Sequence, residues 1–573
     1  MRYCFGIILA VLFWSKLSAP LSAQQKTYCN PVDLDYTYMI RFSHKDISFR
    51  SGADPDVVKF RDEYYMFVTR SMGYWHSKDL LHWDFIKPEG WYFQGSNAPT
   101  AFNYKDSLLY QAGNPSGSMS ILYTDQPGEG VWHSVPSILH RLQDPTLFID
   151  DDGQAYIFWG SSNKHPIRGR KLDMFHRFSP DQNMVKLFNL EPEKHGWERF
   201  GANHSRNKQG YIEGAYMTKH KDKYYLQYAA PGTQFDVYGD GVYIADSPLG
   251  PYEYAPNNPV CYKPGGFANG AGHGSTVQGP YGNYWHFATM AVSVNRIWER
   301  RIVMYPTYFD QDGLMHSNTS FGDYPHYAPD EYSRAGEFTG WMLLSYNKPV
   351  RASSSLEGYG PQKVVDENVK SFWVAENNDK DQWLEIDLGN EARVHAVQIN
   401  YNDYQSSLYG RISGLYHRYL MEGSLDGKNW KVLVDKKNSF ADAPNDYVEL
   451  LQPQTARYIR YKNIAVPTGN LSVSDLRIFG IGQGKAPQQV KNLTVKREKD
   501  RRNASINWDP QENAQGYNIR WGIASDKLYS SWLVYDENYL IVRSLNVDQE
   551  YFFQVEAFNE NGVSEKSRII RVE

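Results

Sequence analysis

Three short acidic clusters in the first half of the chain have the residue types needed for acid–base chemistry. They are 53–56 (Ala-Asp-Pro-Asp), 143–146 (Gln-Asp-Pro-Thr) and 212–215 (Ile-Glu-Gly-Ala). Each lies beside alternating tyrosines and aliphatic residues, as in 63–68 and 223–228, a pattern that predicts a β-strand. Breaking a glycosidic bond requires one carboxyl that stays protonated to assist the leaving group and another that stays ionised to activate water or attack carbon. The clusters therefore point to glycoside hydrolysis.

Taken singly, each cluster also has an ordinary structural explanation, because Asp-Pro and Asp-Gly are common turn formers. The three aspartates at 150–152, ahead of Gly153, favour a hairpin turn over catalysis. Segment 270–276 (Gly-Ala-Gly-His-Gly-Ser-Thr) has the glycines of a phosphate-binding loop but lacks the lysine of that motif.

Bulk properties narrow the class of protein. A chain of 573 residues exceeds one ordinary core and predicts two to four domains. The net charge of -5 and the lack of a long basic run argue against a nucleic-acid partner, so we expect a neutral or weakly charged polymer. With 44 Tyr, 27 Phe and 16 Trp, the aromatic excess fits both strand surfaces and faces that stack on sugars, and neither explanation is favoured for any one ring.

The N-terminus has the pattern of an export signal. Met1-Arg2 precedes an apolar run over 5–14, and small residues at 21–23 offer a cleavage site, so residues 1–23 predict a signal peptide. The run is short for a bilayer and no second one follows, so we expect a soluble monomer, secreted or periplasmic in a bacterium, without an integral membrane segment.

Metal and disulfide signals are weak. Cys4 belongs to the removed signal, and whether Cys29 and Cys261 pair in an oxidising compartment is left open. HExxH and CxxC patterns are missing, so the sequence gives little support to a zinc site, and we expect the chemistry to need no cofactor.

Between about 50 and 320 one sequence pattern recurs five times at a spacing of about fifty residues. This repeat predicts an all-β fold, a five-bladed β-propeller. The pattern is a turn rich in Asp, Gly and Asn, a Tyr-rich strand, a second strand and an outer segment. A propeller gathers one loop per blade at its axis, so distant acids can meet there. A large β-sandwich with irregular spacing is the alternative. We predict that the Tyr-rich strands are the inner ones, at 63–68, 107–111, 154–159, 223–228 and 283–288.

Together the three clusters and the strands after them resemble glycoside hydrolase family 43 in order and context, over roughly 29–335. The resemblance implies a propeller domain, set here at 24–338, and inversion at the anomeric carbon. It assigns Asp54 as general base, Glu213 as general acid, and Asp144 as the residue that orients the acid and tunes its pKa. Such tuning is physically reasonable because a nearby carboxylate raises a carboxyl pKa. Many members have Pro where this chain has Ala215, so the acid's loop is less constrained.

The same resemblance suggests residues that contact substrate. His273 is a candidate for an ion or substrate contact, with a buried, hydrogen-bonded histidine as the equal alternative. Within 296–301 the family's sugar-contacting arginine is assigned to Arg301. Trp75 and Trp159 are candidates for lining the pocket, with core packing as the competing explanation.

Two further units follow the propeller. Residues 341–480 resemble the discoidin (coagulation factor 5/8 type C) fold through 348–355, 364–368, 382–389, 422–430, 456–460 and 476–480. That resemblance implies a carbohydrate-binding jelly roll with a structural calcium, for which Asp366 is a ligand and Asp475 stands where Glu is more usual. Residues 487–573 resemble fibronectin type III, with Tyr551 as its corner tyrosine and a spacer role expected.

With the export signal, the resemblance to family 43 thus implies a secreted inverting glycosidase that removes α-L-arabinofuranosyl or β-D-xylosyl residues from plant-type polysaccharides. A β-1,3-galactosidase of the same family is the nearest alternative. A carbohydrate-binding protein without catalysis, or an adhesion protein using the two sandwiches, are alternatives from other classes.

Overall fold

The computed structural model of the protein describes residues 26–39, 47–90, 93–113, 118–140, 142–173, 184–330 and 334–573. The expected signal peptide and Cys4 lie outside the described residues. Within them the regular structure is almost all strand, and the helical segments are four 3-10 turns: Pro127–Glu129, Gly196–Glu198, Ala202–His204 and Pro361–Val364. The predicted all-β class is confirmed.

Five antiparallel sheets follow one another along the first half of the chain, and each is a four-stranded meander, the fourth with one extra short strand. Their strands, sheet by sheet, are Asp56–Phe60, Glu63–Phe67, Tyr74–Ser77 and Asp84–Ile86; Asn97–Tyr104, Ser107–Gly113, Ser118–Thr124 and His133–His140; Thr146–Ile149, Ala155–Trp159, Ile167–Leu172 and Val185–Phe188; Glu213–His220, Lys223–Ala230, Gly239–Ala245, Glu253–Tyr254 and Cys261–Tyr262; Gly272–Gln278, Tyr284–Ala291, Arg300–Phe309 and Met315–Ser317.

These sheets are the blades of a closed propeller. The first strand of each sheet packs against the first strand of the next, and the fifth returns to the first. The Tyr-rich strands are therefore second in each blade, and the prediction that they are innermost was wrong. Their rings fill the space between blades, as Tyr65 and Tyr110 do between blades one and two. The first strands present small polar groups at the narrow axis, where the Thr100 and Thr146 hydroxyls lie 3.5 Å apart.

The ends of the propeller are tied together by the residues that precede blade one. Thr27–Tyr28 pairs with His326–Tyr327, and Thr37–Tyr38 pairs with Arg50–Ser51. The Asn30 amide donates to the Met304 carbonyl at 2.9 Å and accepts from its N–H at 2.9 Å. Blade five is thereby fixed against blade one, which holds the ring closed.

The second unit is a β-sandwich built around two long strands, Trp383–Tyr401 and Asn445–Ala465. Register shifts between Asp387 and Ala392, and only after this break does the first long strand pair with Ser472–Gly482. One strand can thus serve both layers of the sandwich. The remaining strands are Met342–Leu343, Val350–Ala352, Trp373–Val374, Arg418–Ser424 and Lys431–Asp435.

The third unit is a smaller sandwich of two sheets. One holds Thr494–Arg497, Ala504–Asn507 and Tyr539–Val542; the other holds Gly516–Gly522, Ser530–Tyr535, Tyr551–Asn559, Gly562–Val563 and Ile570–Val572. The Tyr551 hydroxyl accepts a hydrogen bond from the backbone N–H of Asn546, five residues upstream, at 2.9 Å. This is the contact expected of a corner tyrosine.

Both sandwiches pack directly on the propeller. The Arg50 guanidinium of the propeller bonds Asp403 at 3.0 Å and Asp442 at 2.6 Å in the second unit. In the third unit, the Tyr529 ring stacks on His316 with centroids 3.6 Å apart. The third unit is therefore a docked domain, in contrast to the expected spacer.

Two further expectations concern membranes and thiols. Within the described ranges, no helix combines the length and the apolar character needed to span a membrane. Cys29 and Cys261 are both buried and both free, which answers the question of their pairing.

Candidate active site

Loops that enter the innermost strands bring three carboxylates and one imidazole to the same end of the propeller axis. Asp54 and Asp144 each lie two residues before the first strand of their blade begins, while Glu213 and His273 lie at the start of theirs. The His273 Nδ1 atom lies 3.3 Å from Asp54 Oδ1 and 4.0 Å from Asp144 Oδ2. The side chains of Asp54, Asp144 and His273 are 10%, 17% and 14% exposed, so solvent reaches the cluster.

The backbone is held in an uncommon conformation at three of these positions. Asp54, Asp144 and His273 have φ angles of 56°, 48° and 52°, in the left-handed region that non-glycine residues seldom adopt. Each such residue costs about 1–3 kcal/mol and persists only where its surroundings enforce it. Register breaks at the starts of blades four and five accompany this, and bulges of this kind re-aim side chains beside active sites.

Gly214 makes room for the imidazole. Its φ is 64°, and a Cβ atom at this position would lie 2.8 Å from Cγ of His273. Only glycine therefore lets His273 pack directly against the backbone that carries Glu213.

Asp54 is held as an ionised carboxylate. The Thr69 hydroxyl donates to its Oδ2 at 2.6 Å, and Nη1 of Arg300 lies 3.3 Å from its Oδ1. Burial raises the pKa of Asp54, but the charges of Arg300 and His273 and the Thr69 hydrogen bond outweigh burial and lower it. A carboxylate in this state can accept a proton from water at neutral pH.

Glu213 is held by two hydroxyl groups. The Tyr238 hydroxyl donates to Oε1 at 2.8 Å, and the Ser161 hydroxyl donates to Oε2 at 3.1 Å. A serine hydroxyl rotates and can accept as well as donate, so Ser161 can also serve a protonated Glu213. This arrangement fixes the carboxyl group in either protonation state.

The surroundings of Asp144 favour its protonated form. Its pKa is raised to about 7, first by burial and then by the charges of Glu213 and Asp54, although His273 and the Gly214 N–H oppose the shift. The pKa of His273 is also raised: burial lowers it, but the charges of Asp54, Asp144 and Glu213 outweigh burial. The cluster therefore favours an imidazolium and a carboxyl proton close to neutral pH.

Asp240 anchors the loop that presents His273. Its carboxylate accepts hydrogen bonds from the His273 and Gly274 N–H groups at 2.7 and 2.9 Å. The His286 Nε2 atom lies 2.9 Å from the same carboxylate. Because Asp240 and His286 are both fully buried, this support is rigid.

The structure does not bring every predicted contact to the site. Arg301 points away, because side chains alternate along a strand: its Nη1 donates to the carbonyls of Arg50 and Arg300, and Arg300 is the arginine beside Asp54. Trp75 is buried in the core between blades five and one, where its indole N–H donates to Asp35 at 2.6 Å. Trp159 lies in the core of blades two and three, 9% exposed. Arg301 is therefore not placed to be the expected sugar contact, and for Trp75 and Trp159 the alternative of core packing holds.

Several residues at the site carry no sequence motif. Thr69, Ser161, Tyr238 and Arg300 touch the carboxylates, and Trp298 lies 43% exposed with its ring 5.3 Å from the Arg300 guanidinium carbon. Arg300 and Trp298 lie within 296–301, the segment that holds the predicted arginine, and the other three have no signal in the sequence.

The described residues contain no group of three or more His, Cys, Asp or Glu side chains arranged to hold a metal ion, around His273 or elsewhere. In the second unit, however, both carboxylate oxygens of Asp475 are buried without a hydrogen-bond partner. The pKa of Asp475 is raised well above its usual value by burial and by the charges of Glu367 and Asp366. Asp366 itself accepts from the Ser371 hydroxyl at 2.6 Å. An unpaired buried carboxylate beside another acid fits a cation.

Comparisons with known protein families match three consecutive parts of the chain. Residues 47–315 match the model of glycosyl hydrolases family 43, residues 349–474 that of the F5/8 type C domain, and residues 485–573 that of the fibronectin type III domain.

Individual relatives are more distant. A non-reducing end alpha-L-arabinofuranosidase of Bacteroides ovatus is 26% identical over 340 residues, covering 54% of this chain and 56% of the relative. A xylan 1,3-beta-xylosidase of Vibrio sp is 26% identical over 270 residues, covering 40% of this chain and 46% of the relative. The chain thus spans about half the length of these curated relatives. A solved structure of a thermostable family 43 glycoside hydrolase is 21% identical, with a TM-score of 0.42, and covers 53% of this chain and 100% of that one.

Proposed function

We propose that this protein is an inverting glycosidase with Asp54 as general base and Glu213 as general acid, since residues 47–315 match the model of glycosyl hydrolases family 43. One observation carries the proposal: carboxylates from blades one, three and four converge around His273 at the propeller axis. Glycoside hydrolysis needs an ionised and a protonated carboxyl on opposite sides of one sugar.

In the proposed reaction Asp54 takes a proton from a water molecule whose oxygen attacks the anomeric carbon. The bond from that carbon to the leaving oxygen breaks, and Glu213 gives its proton to the leaving oxygen. Asp54 suits the first role because its pKa is lowered. Glu213 suits the second role because the Tyr238 and Ser161 hydroxyls hold its carboxyl group in place.

We propose α-L-arabinofuranosyl or β-D-xylosyl groups of plant-type polysaccharides as the substrate. Support comes from the activities for which the two relatives are named, those of an arabinofuranosidase and a xylosidase. Trp298 adds an exposed aromatic face beside Arg300, on which a sugar ring can stack. We further propose export of the chain, on the strength of its N-terminal sequence.

In the second unit we propose a structural calcium site that includes Asp366 and Asp475. When bound, the ion would supply positive charge to the buried, unpaired carboxylate of Asp475. Asp475 would hold it with oxygens that accept no hydrogen bond. We expect the ion to stabilise the second unit.

Hydrolysis of aryl glycosides of arabinofuranose, xylopyranose and galactopyranose by the purified chain tests the proposal. We expect release from arabinofuranoside or xylopyranoside, and a loss of at least about 1,000-fold in Asp54→Asn and Glu213→Gln. Asp222→Asn is the matched control, because Asp222 lies in the exposed turn at the opposite end of the Glu213 hairpin. Turnover of only the galactopyranoside would contradict the substrate class, and full activity of Glu213→Gln would contradict the mechanism.

A further inference from the structure

A short segment, residues 233–238, contacts the proposed general acid Glu213 and also Arg300, the neighbour of the proposed general base Asp54. At one end the Thr233 hydroxyl accepts a hydrogen bond at 3.2 Å from Nη1 of Arg300, the same atom that lies 3.3 Å from Asp54. At the other end the Tyr238 hydroxyl donates to Glu213 at 2.8 Å. We call residues 233–238 the bridging segment.

The middle of the bridging segment is held by the two C-terminal domains. Val237 is 2% exposed and belongs to the hydrophobic core of the fibronectin type III domain, and Phe235 packs against the same core. The carboxylate of Asp236 accepts from Nζ of Lys370, in the discoidin-type domain, at 2.6 Å. Lys370 and Asp236 are 35% and 42% exposed, so solvent screens this pair and the apolar contact of Val237 is the stronger one.

The propeller side of the segment leaves Tyr238 little freedom. The N–H of Ala271 donates to the Tyr238 carbonyl at 2.8 Å, and a Cβ atom on Gly272 would lie 2.6 Å from the Tyr238 ring. Tyr262 is another propeller residue in the core that contains Val237. Its ring packs edge to face against Trp521 of the fibronectin type III domain, with centroids 6.3 Å apart. A shift of that domain therefore reaches the Tyr238 hydroxyl through packed atoms.

We propose that the bridging segment lets the fibronectin type III domain, with help from the discoidin-type domain, position the general acid Glu213. This inference rests on the proposed function and gives the C-terminal domain a positioning role in catalysis. A displaced acid slows cleavage of poor leaving groups, which need a proton, and spares good leaving groups, which depart without one. Misplacement by about 1 Å can cost about 100-fold.

The test is Val237→Ala in the full chain, assayed with a phenyl glycoside and a 2,4-dinitrophenyl glycoside of the preferred sugar. We expect kcat to fall by about 10- to 100-fold on the phenyl glycoside and by less than about 2-fold on the dinitrophenyl glycoside. The matched control is Val542→Ala, which lies in the same core but in the fibronectin type III strand Tyr539–Val542. We expect it to lower the melting temperature and to leave the ratio of kcat on the two glycosides unchanged.

Equal losses on the two substrates, or the same difference between the substrates in Val542→Ala, would overturn the inference. Lys370→Met changes a partly exposed side chain and keeps the inference testable if Val237→Ala does not fold. We expect Lys370→Met to lower kcat by about 2- to 5-fold on the phenyl glycoside and to leave kcat on the dinitrophenyl glycoside unchanged. An equal effect on the two substrates would count against the inference. Failure of the unaltered chain to hydrolyse either substrate would overturn the proposed function itself, and this inference with it.

Discussion

Arg300 offers the sharpest test of how Asp54 is kept ionised. Two unit charges 3.3 Å apart attract by about 5 kcal/mol at an effective dielectric constant of about 20, and desolvation offsets part of this attraction. Removing one member of a buried pair costs about 3–5 kcal/mol. If about 3 kcal/mol is lost at the step in which Asp54 takes the proton, Arg300→Met lowers kcat/KM by about 150-fold.

The pH dependence separates this electrostatic role from a structural one. Arg300 helps to lower the pKa of Asp54, so its removal raises that pKa and moves the acidic limb of the kcat/KM profile to higher pH. Arg301→Met is the control: Arg301 donates to two buried carbonyls, so we expect a loss of about 1–3 kcal/mol in unfolding free energy and an unmoved acidic limb. An unmoved limb in Arg300→Met, or an equal shift in both variants, would refute the reasoning.

Three further changes test other parts of the site and the second unit. Asp144→Asn should lose activity yet gain about 1–3 kcal/mol in unfolding free energy at pH 8, because a pKa raised to about 7 means that ionisation of Asp144 opposes folding. Urea titrations should show this gain fading toward pH 4, where Asp144 is protonated in the folded protein. Equal stability of the variant and the unaltered chain at pH 8 would contradict the argument. Gly214→Ala should lower kcat about 100-fold, because the added methyl group displaces His273. The control is Gly153→Ala, also at positive φ but facing open space, which should keep its kcat and lose only about 1 kcal/mol in unfolding free energy. Equal kcat in both variants would contradict the steric argument. Chelation with EGTA should lower the melting temperature of the full chain but not that of Asp475→Asn, and no effect on the unaltered chain would rule out the calcium site.

The acids and the blade count were accessible from the sequence because each leaves a local signal. Asp-Pro and Glu-Gly steps precede strands at regular spacing, and the five repeats of the pattern predict five blades. The choice of innermost strand was not accessible in the same way. Tyrosine content marks strands but does not say which strand faces the axis, and the large rings belong between the blades.

The choice between Arg300 and Arg301 depends on which face of their strand each side chain occupies. Two adjacent arginines give the same local signal, but opposite faces of Arg300–Phe309 carry them to different surroundings. One places its guanidinium at Asp54 and the other over the Tyr36 ring, 5.1 Å from its centroid. The sequence pattern alone contains no information on that register.

Tyr238 could not be found because its role depends on packing between domains. Residues around Val237 form turns outside any strand, and only the docked fibronectin type III core shows why they are held in place. A resemblance to a spacer domain gives no hint of this, since surface complementarity is a property of two folded units.

The anomeric configuration of the first product tests the central claim most directly. Proton NMR during hydrolysis of an aryl glycoside by the full chain records the configuration before mutarotation. With Asp54 activating water on one side of the sugar and Glu213 protonating the leaving oxygen on the other, the first product must be the inverted anomer. A first product with retained configuration would contradict the account, because it would require a carboxylate to attack the sugar itself.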